Sequence, residues 1–243
     1  MIGVYLIVTC VMINPDGVLY IGRAHELAQA PWHTIGVFPP GYPALLLAGH
    51  KVASLFGRAD SSMAWIYSSQ AVTLLCRLLA LVCLYFVGKV LVGAERSFWG
   101  VLLLTFLPYP ADFGSDTLRE WPYLLCVIGA VWLLLWSRSA KKWWGFAFVG
   151  LVTGLGYLVR PESAQVLIYA TLGLIVGIKE RAARRVIALA VLTIGFLVTA
   201  APYLFATKTV VPHQMRETVH NSPPVITSIA GHSAGEHPLE FDV

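Results

Sequence analysis

Apolar residues gather into long runs along this chain, at residues 1–13, 42–56, 71–92, 99–109, 121–136, 144–159, 164–178 and 186–205. Several runs approach the roughly 20 residues needed to cross a bilayer core. None shows the two-residue alternation of a membrane β-barrel strand. Lipid offers no partner to an unpaired backbone group, so the runs predict helices. The expected fold class is all-α, a polytopic membrane protein of about seven transmembrane helices, with amphipathic juxtamembrane helices in the first outer loop. Composition agrees, with 57% hydrophobic residues, 12% charged residues and a mean hydropathy of +0.71.

Polar positions set the orientation. Basic residues cluster at Lys89 and Arg96, at Arg138, Lys141 and Lys142, and at Lys179, Arg181, Arg184 and Arg185. The positive-inside rule turns these three regions to the cytoplasm. The joint carrying Asp112, Asp116, Arg119 and Glu120, and the turn carrying Arg160 and Glu162, then face outward. Run 42–56 decides the side of Asp16. It follows Phe38-Pro39-Pro40-Gly41-Tyr42-Pro43 and carries His50 and Lys51 near its middle, which is costly at a bilayer centre. It is expected to lie along the interface rather than to span. The next span then starts near Arg77, whose head snorkels to the outer surface, and runs inward to Lys89. Asp16, Asp116, Glu120, Arg160 and Glu162 thereby share one outward face.

Residues 1–206 form one transmembrane unit, with 14–70 as its first outer loop. Residues 207–243 form an outer loop or tail. The first run is short for a span and lacks the basic start of a signal peptide, so further N-terminal sequence is expected. The net charge of +4 reports loop orientation and makes no case for nucleic acid. Cys10, Cys76, Cys83 and Cys126 lie inside apolar runs, as small buried residues do.

Four stretches stand out: Asp16-Gly17-Val18-Leu19-Tyr20, Phe38-Pro39-Pro40-Gly41-Tyr42-Pro43, Ser115-Asp116-Thr117-Leu118-Arg119-Glu120 and Val159-Arg160-Pro161-Glu162. Their order and spacing resemble the GT-C superfamily of polyprenyl-phosphate-sugar glycosyltransferases, nearest to the bacterial branch related to protein O-mannosyltransferases and aminoarabinose transferases. The resemblance covers nearly the whole chain and corresponds to the N-terminal transmembrane half of the family. It implies an inverting transfer of a sugar from a polyprenyl-phosphate donor to a protein, lipid or glycan acceptor at the outer face of the cytoplasmic membrane. Gly17 follows Asp16 where many relatives carry a second acidic residue. The chain is also shorter than is usual in the superfamily, so its C-terminal part is expected to be absent.

The residue types suit that chemistry. A carboxylate at the water boundary can take the proton of an acceptor hydroxyl as its oxygen attacks the anomeric carbon, and Asp16 is the candidate base. The departing lipid phosphate gathers negative charge, which a guanidinium fork stabilises. Arg160 is the first candidate, with Arg77, Arg119, Lys51 and His33 behind it. Asp116 is the second catalytic candidate, able to orient acceptor or sugar, and Glu120 lies one helical turn on. Tyr20, Tyr42 and Glu162 complete the substrate-binding set, and the Pro39-Pro40 break sets where Tyr42 and His33 point. No cofactor is required, and a divalent metal is left open.

Simpler readings stand beside these. Asp16 in Asn-Pro-Asp-Gly is also a good helix cap, Asp116 can cap the span entered at Glu120, and Arg160 can merely snorkel. Asp112-Phe113-Gly114 matches a kinase magnesium motif by chance, since no glycine-rich loop accompanies it. His213, His220, His232 and His237 are too widely spaced for a compact metal site. Gly150-x-x-x-Gly154 and Gly173-x-x-x-Gly177 suit close helix packing, and Trp143 and Trp144 beside Lys142 suit an interfacial belt. A transporter of a lipid-linked or amphipathic solute, and an inactive fragment or accessory subunit, are the competing functions. A transporter often places its polar groups near the bilayer midplane, whereas here they gather at one face.

Overall fold

A computed structural model describes residues 7, 14–31, 35, 38–55, 61–107, 116–140, 142–177 and 182–207. Every regular element among them is helical: α1 Pro15–Gln29, α2 Gly41–Ser54, α3 Ser62–Val92, α4 Ala94–Phe106, α5 Glu120–Ser139, α6 Gly145–Val159, a 3-10 turn Pro161–Ser163, α7 Ala164–Gly177 and α8 Ala182–Thr207. Three helices, α3, α5 and α8, are long and apolar enough to cross a membrane, and α6 is a shorter apolar helix. The expectation of seven spans is therefore met only in part. Run 1–13 lies outside the described residues apart from Ile7, as do His33, Lys141, residues 178–181, the Asp112-Phe113-Gly114 stretch and the tail from 208.

Helix limits follow local chemistry. The Ser61 hydroxyl accepts the Ala64 N–H at 3.1 Å and starts α3 nine residues before its apolar run and well before Arg77. The helix therefore begins well ahead of the expected span: a serine cap and helix-compatible residues extend it past the point where hydrophobicity fades. α3 ends at Gly93, whose φ of +95° suits glycine and lets α4 begin at the next residue. The basic stretch 89–96 is thus two helix ends around one glycine rather than a loop.

Small residues bring the helices together. α6 and α8 form the most extensive pairing. A Cβ added at Gly150 would meet the Leu192 carbonyl and lie 2.8 Å from the Phe196 nitrogen, and one at Gly154 would lie 2.8 Å from the Phe196 carbonyl oxygen. The first glycine pair therefore packs as its spacing suggests. The second does not show this, since a Cβ at Gly173 would meet nothing within 4 Å. Ala130, Phe146, Val149, Val166, Ala170, Leu174, Ala188 and Leu192 join α5 to α8 in one core. Leu78, Val82, Phe98, Leu103, Ile194 and Val198 point outward from the bundle, as lipid-facing residues do. At the α5–α6 turn the Lys142 ammonium sits 5.3 Å over Trp136 and 5.2 Å over Trp144, a basic-aromatic grouping suited to an interface.

At 31 residues, α3 is about 45 Å long, some 15 Å more than a hydrocarbon core. Its first turns are where α1 and α2 pack. Tyr42 and His50 of α2 reach Thr73 and Ser68 respectively, so α2 runs antiparallel to the start of α3. Tyr20, Ala24, Tyr42, Leu46 and Val159 are buried together beneath these two short helices. Gly41 makes the join possible, because a Cβ there would lie 2.6 Å from the carbonyl carbon of Leu158 at the end of α6.

Candidate active site

Four chain segments converge at the end of the bundle where α5 begins and α6 ends. Asn14 is the N-cap of α1, its side-chain oxygen accepting the Asp16 N–H at 3.2 Å, and Pro15 occupies the first helical position. The capping task expected of Asp16 thus falls to Asn14. Asp16 is exposed in the first turn, where the positive end of the helix dipole favours a carboxylate.

Across 102 residues of sequence, the Asn14 N–H donates to Asp116 Oδ1 at 3.4 Å. The same oxygen accepts the Thr117 N–H at 2.7 Å. Asp116 therefore ties the start of α1 to the turn that enters α5. It does not cap α5, whose N-cap residue, Arg119, makes no side-chain capping bond.

Arg160 terminates α6 in extended backbone, and the following Pro161 disfavours a helical conformation there. Its guanidinium lies between two carboxylates, with Nη1 3.7 Å from Glu120 Oε1 and Nε 3.4 Å from Glu162 Oε1, and 5.6 Å from the centre of the Tyr123 ring. This arrangement joins α5, α6 and the 3-10 turn. All three side chains are partly exposed, so each pairing contributes at most about 1 kcal/mol.

Arg119 makes no ion pair among the described residues and lies 5.8 Å over the Tyr20 ring. Tyr20 is the hub of the site. Its ring meets Tyr42 edge-on at 4.9 Å and Phe38 at 6.1 Å, and it is only 5% exposed. Burial pushes its hydroxyl pKa up; the Arg119 guanidinium opposes this, the Asp16 and Glu120 carboxylates add to it, and Arg160 opposes it. Tyr42 is held from beneath, its hydroxyl 3.2 Å from the Thr73 hydroxyl, which donates onward to the Ser69 carbonyl at 3.2 Å. Burial raises the Tyr42 pKa as well, with the Thr73 bond opposing and the Asp116 charge among the smaller contributions that raise it.

Asp16, Tyr20, Tyr42, Asp116, Arg119, Glu120, Arg160 and Glu162 are thus gathered at one end of the bundle. Two expected members stand apart. Arg77 is buried within the helices, donating to the Thr105 carbonyl at 3.3 Å and lying 5.6 Å over Trp121, instead of reaching outward alone. Lys51 is exposed near the far end of α2, next to His50, which stacks on Trp65 at 3.6 Å. The expectation for His33 lies outside the described residues. Asn14, Gly41, Thr73 and Tyr123 were not foreseen. Asn14 alone had a sequence signal, a good cap followed directly by proline at the first helical position.

At one end of the bundle the arrangement offers an exposed carboxylate, Asp16, and a guanidinium, Arg119, that has no acidic partner among the described residues, both near the buried Tyr20 ring. The family model for dolichyl-phosphate-mannose-protein mannosyltransferases matches residues 39–205. This match contains Tyr42, Asp116, Arg119, Glu120, Arg160 and Glu162, and begins after Asp16 and Tyr20. No curated protein and no solved structure matches the chain. With more than half its length covered by that family model and with helices fit to cross a bilayer, the chain belongs to the dolichyl-phosphate-mannose-protein mannosyltransferase family, as a multi-pass membrane glycosyltransferase of the GT-C type.

Proposed function

We propose that the protein is an inverting glycosyltransferase that moves a sugar from a polyprenyl-phosphate donor to an acceptor hydroxyl at the outer face of the cytoplasmic membrane, with Asp16 as general base. The observation that carries this reading is the bond from the Asn14 N–H to Asp116 Oδ1, which holds Asp16 at the end of the bundle where Arg119 and Arg160 lie.

In the reaction, Asp16 takes the proton of the acceptor hydroxyl while that oxygen forms its bond to the anomeric carbon. The bond from that carbon to the phosphate oxygen breaks, and the lipid phosphate leaves with the electron pair. Arg119 is the first partner for the growing charge, because Arg160 already faces two carboxylates. No described side chain caps the N-terminus of α5 beside Arg119, and the positive end of its helix dipole favours a negative charge there. Asp116 acts here as a positioning residue, since both of its hydrogen bonds go to backbone N–H groups.

The test uses the full chain in lipid vesicles with a labelled polyprenyl-phosphate mannose and membrane acceptors. Asp16→Asn is expected to lower transfer by about 10²–10⁴-fold while membrane insertion is unchanged. Transfer at the parent rate would remove Asp16 from the base role. Val18→Cys, exposed on α1, is expected to react with an impermeant thiol reagent from outside the cell. Labelling from the cytoplasmic side alone would overturn the assigned face.

A further inference from the structure

The end of the bundle opposite the candidate active site carries its own arrangement of charge. Arg77 lies over Trp121 and Phe86 stacks on Trp132, so α3 and α5 run parallel and finish at the same end. A Cβ at Gly150 would meet Leu192 and one at Gly154 would meet Thr199, so α6 and α8 are parallel as well and both start there. Lys89, Arg138, Lys142, Arg184 and Arg185 therefore gather at this end. Glu95, in the first turn of α4, is the one acidic residue described among them.

Lys142 is the cation with the most defined surroundings. Its N–H donates to the Ser137 carbonyl at 3.1 Å, and Gly145 permits the tight return of the chain, since a Cβ there would lie 2.9 Å from Ser137 Cβ. The turn sets the Lys142 ammonium 5.3 Å from the ring centre of Trp136 and 5.2 Å from that of Trp144, and the two rings meet edge-on at 5.6 Å. Trp144 in turn meets Phe148, one helical turn into α6, at 5.8 Å. Lys142, both tryptophans and Phe148 are all exposed, so a partner can reach every member of the group from outside the bundle. No carboxylate pairs with Lys142 among the described residues.

Two rings around one ammonium have two consequences. They restrict a flexible side chain in advance, so an anion meets a cation already in place and less freedom is lost on binding. They also commit the aromatic faces to the lysine's own charge. A choline head, which would seek those faces, is repelled by the ammonium, whereas a headgroup with net negative charge is attracted. The outward sides of Trp144 and Phe148 add apolar surface beside the charge. A cation bordered by aromatic rings at the end of two membrane helices fits an amphiphile at the membrane boundary better than a soluble anion.

We propose that Lys142, held by Trp136 and Trp144, binds the headgroup phosphate of one anionic phospholipid of the bilayer, with the acyl chains lying along Phe148 and the outer face of α6. This site is separate from the candidate active site, at the other end of α5 and α6, and does not depend on the reaction assigned there.

The experiment titrates the purified full chain in neutral detergent with phosphatidylglycerol or phosphatidylcholine and counts bound lipids by native mass spectrometry. The wild type is expected to hold one phosphatidylglycerol at least about fivefold more tightly than phosphatidylcholine. Lys142→Gln should weaken that binding by about fivefold or more, and Lys142→Arg should retain it. Trp144→Leu, which changes no charge, should weaken it about two- to fivefold. Arg184→Gln, a charge removed from the same end but away from the rings, should have less effect than Lys142→Gln.

Equal binding of the two lipids by the wild type overturns the inference. So does wild-type affinity in Lys142→Gln; if Arg119→Gln then loses the lipid, the phospholipid occupies the candidate active site instead. Equal weakening by Arg184→Gln and Lys142→Gln, with none by Trp144→Leu, also overturns it, because attraction to the summed charge of this end accounts for that pattern. Lys142 is exposed in a turn, so its variants are expected to melt at the wild-type temperature without added lipid, and this is checked in the same detergent.

Discussion

Replacing Asp116 by alanine and by asparagine separates positioning from proton chemistry. Asp116 Oδ1 accepts the Asn14 N–H at 3.4 Å and the Thr117 N–H at 2.7 Å. A bond from a neutral donor to a charged acceptor contributes about 1.5–3 kcal/mol when well formed. At its length and in its exposed setting, the bond to Asn14 is closer to about 1 kcal/mol, which shifts the docked population of α1 about fivefold. A displacement of about 1 Å at a reacting group costs about 100-fold. Asp116→Ala should therefore lower kcat by about 5- to 100-fold. Asparagine keeps an oxygen that accepts both N–H groups and loses only the charge assistance, about half the bond strength, so Asp116→Asn should lose less than about fivefold. The assay is sugar transfer from polyprenyl-phosphate mannose by each variant, measured across pH. The acid limb of the profile, which follows the base, should survive in Asp116→Asn. An asparagine variant as inactive as the alanine variant, or one lacking the acid limb, would refute the positioning role and return Asp116 to direct chemistry.

Three further outcomes test the packing and the tyrosine hub. Gly154→Ala forces a Cβ against the Thr199 hydroxyl and the Phe196 carbonyl and should cost about 1–3 kcal/mol, read as a lower melting temperature in detergent. Gly22→Ala, where a Cβ on α1 meets nothing within 4 Å, should be neutral or stabilise by up to about 1 kcal/mol. Tyr20 has a raised pKa in the fold, so its contribution to stability is fully present below the unfolded value of 10.0 and is lost as pH rises from there through the folded value. Tyr20→Phe should remove that part of the alkaline loss and leave stability near pH 7 little changed, as followed by thermal denaturation from pH 7 to 11.

The helices themselves were legible because burial in lipid demands continuous hydrophobicity, a signal that needs no tertiary information. Their ends were less so. Ser61 starts α3 far ahead of its apolar run, and Gly93 makes the basic stretch 89–96 a direct join of two helix ends, because caps and backbone conformation set limits that hydrophobicity does not register. The gathering of Asp116, Arg119, Glu120, Arg160 and Glu162 followed from counting charged loops, since each residue lies at a helix end and the two ends share a side of the bundle. Arg77 shows where that reasoning stops. Snorkelling assumes that an arginine in a span has only water to reach for, but the Thr105 carbonyl and the Trp121 face supply partners inside the bundle. No one-dimensional pattern contains them.

Asp16 shows the converse, where a tertiary contact changes the meaning of a local motif. Asn-Pro-Asp-Gly read alone makes Asp16 a reasonable cap, and a cap needs no further explanation. Once Asn14 performs the capping and is itself held by Asp116, the Asp16 carboxylate has no structural bond among the described residues and remains exposed at the first turn of a helix. A base must also meet its substrate, and the contact with Asp116 bears on this: it fixes the start of α1 against the turn carrying Arg119, so the proposed base and the proposed cation for the leaving phosphate are set by one joint. Loosening that joint should therefore impair attack and departure together. This is why the contrast between alanine and asparagine at position 116 probes the whole site and not one side chain.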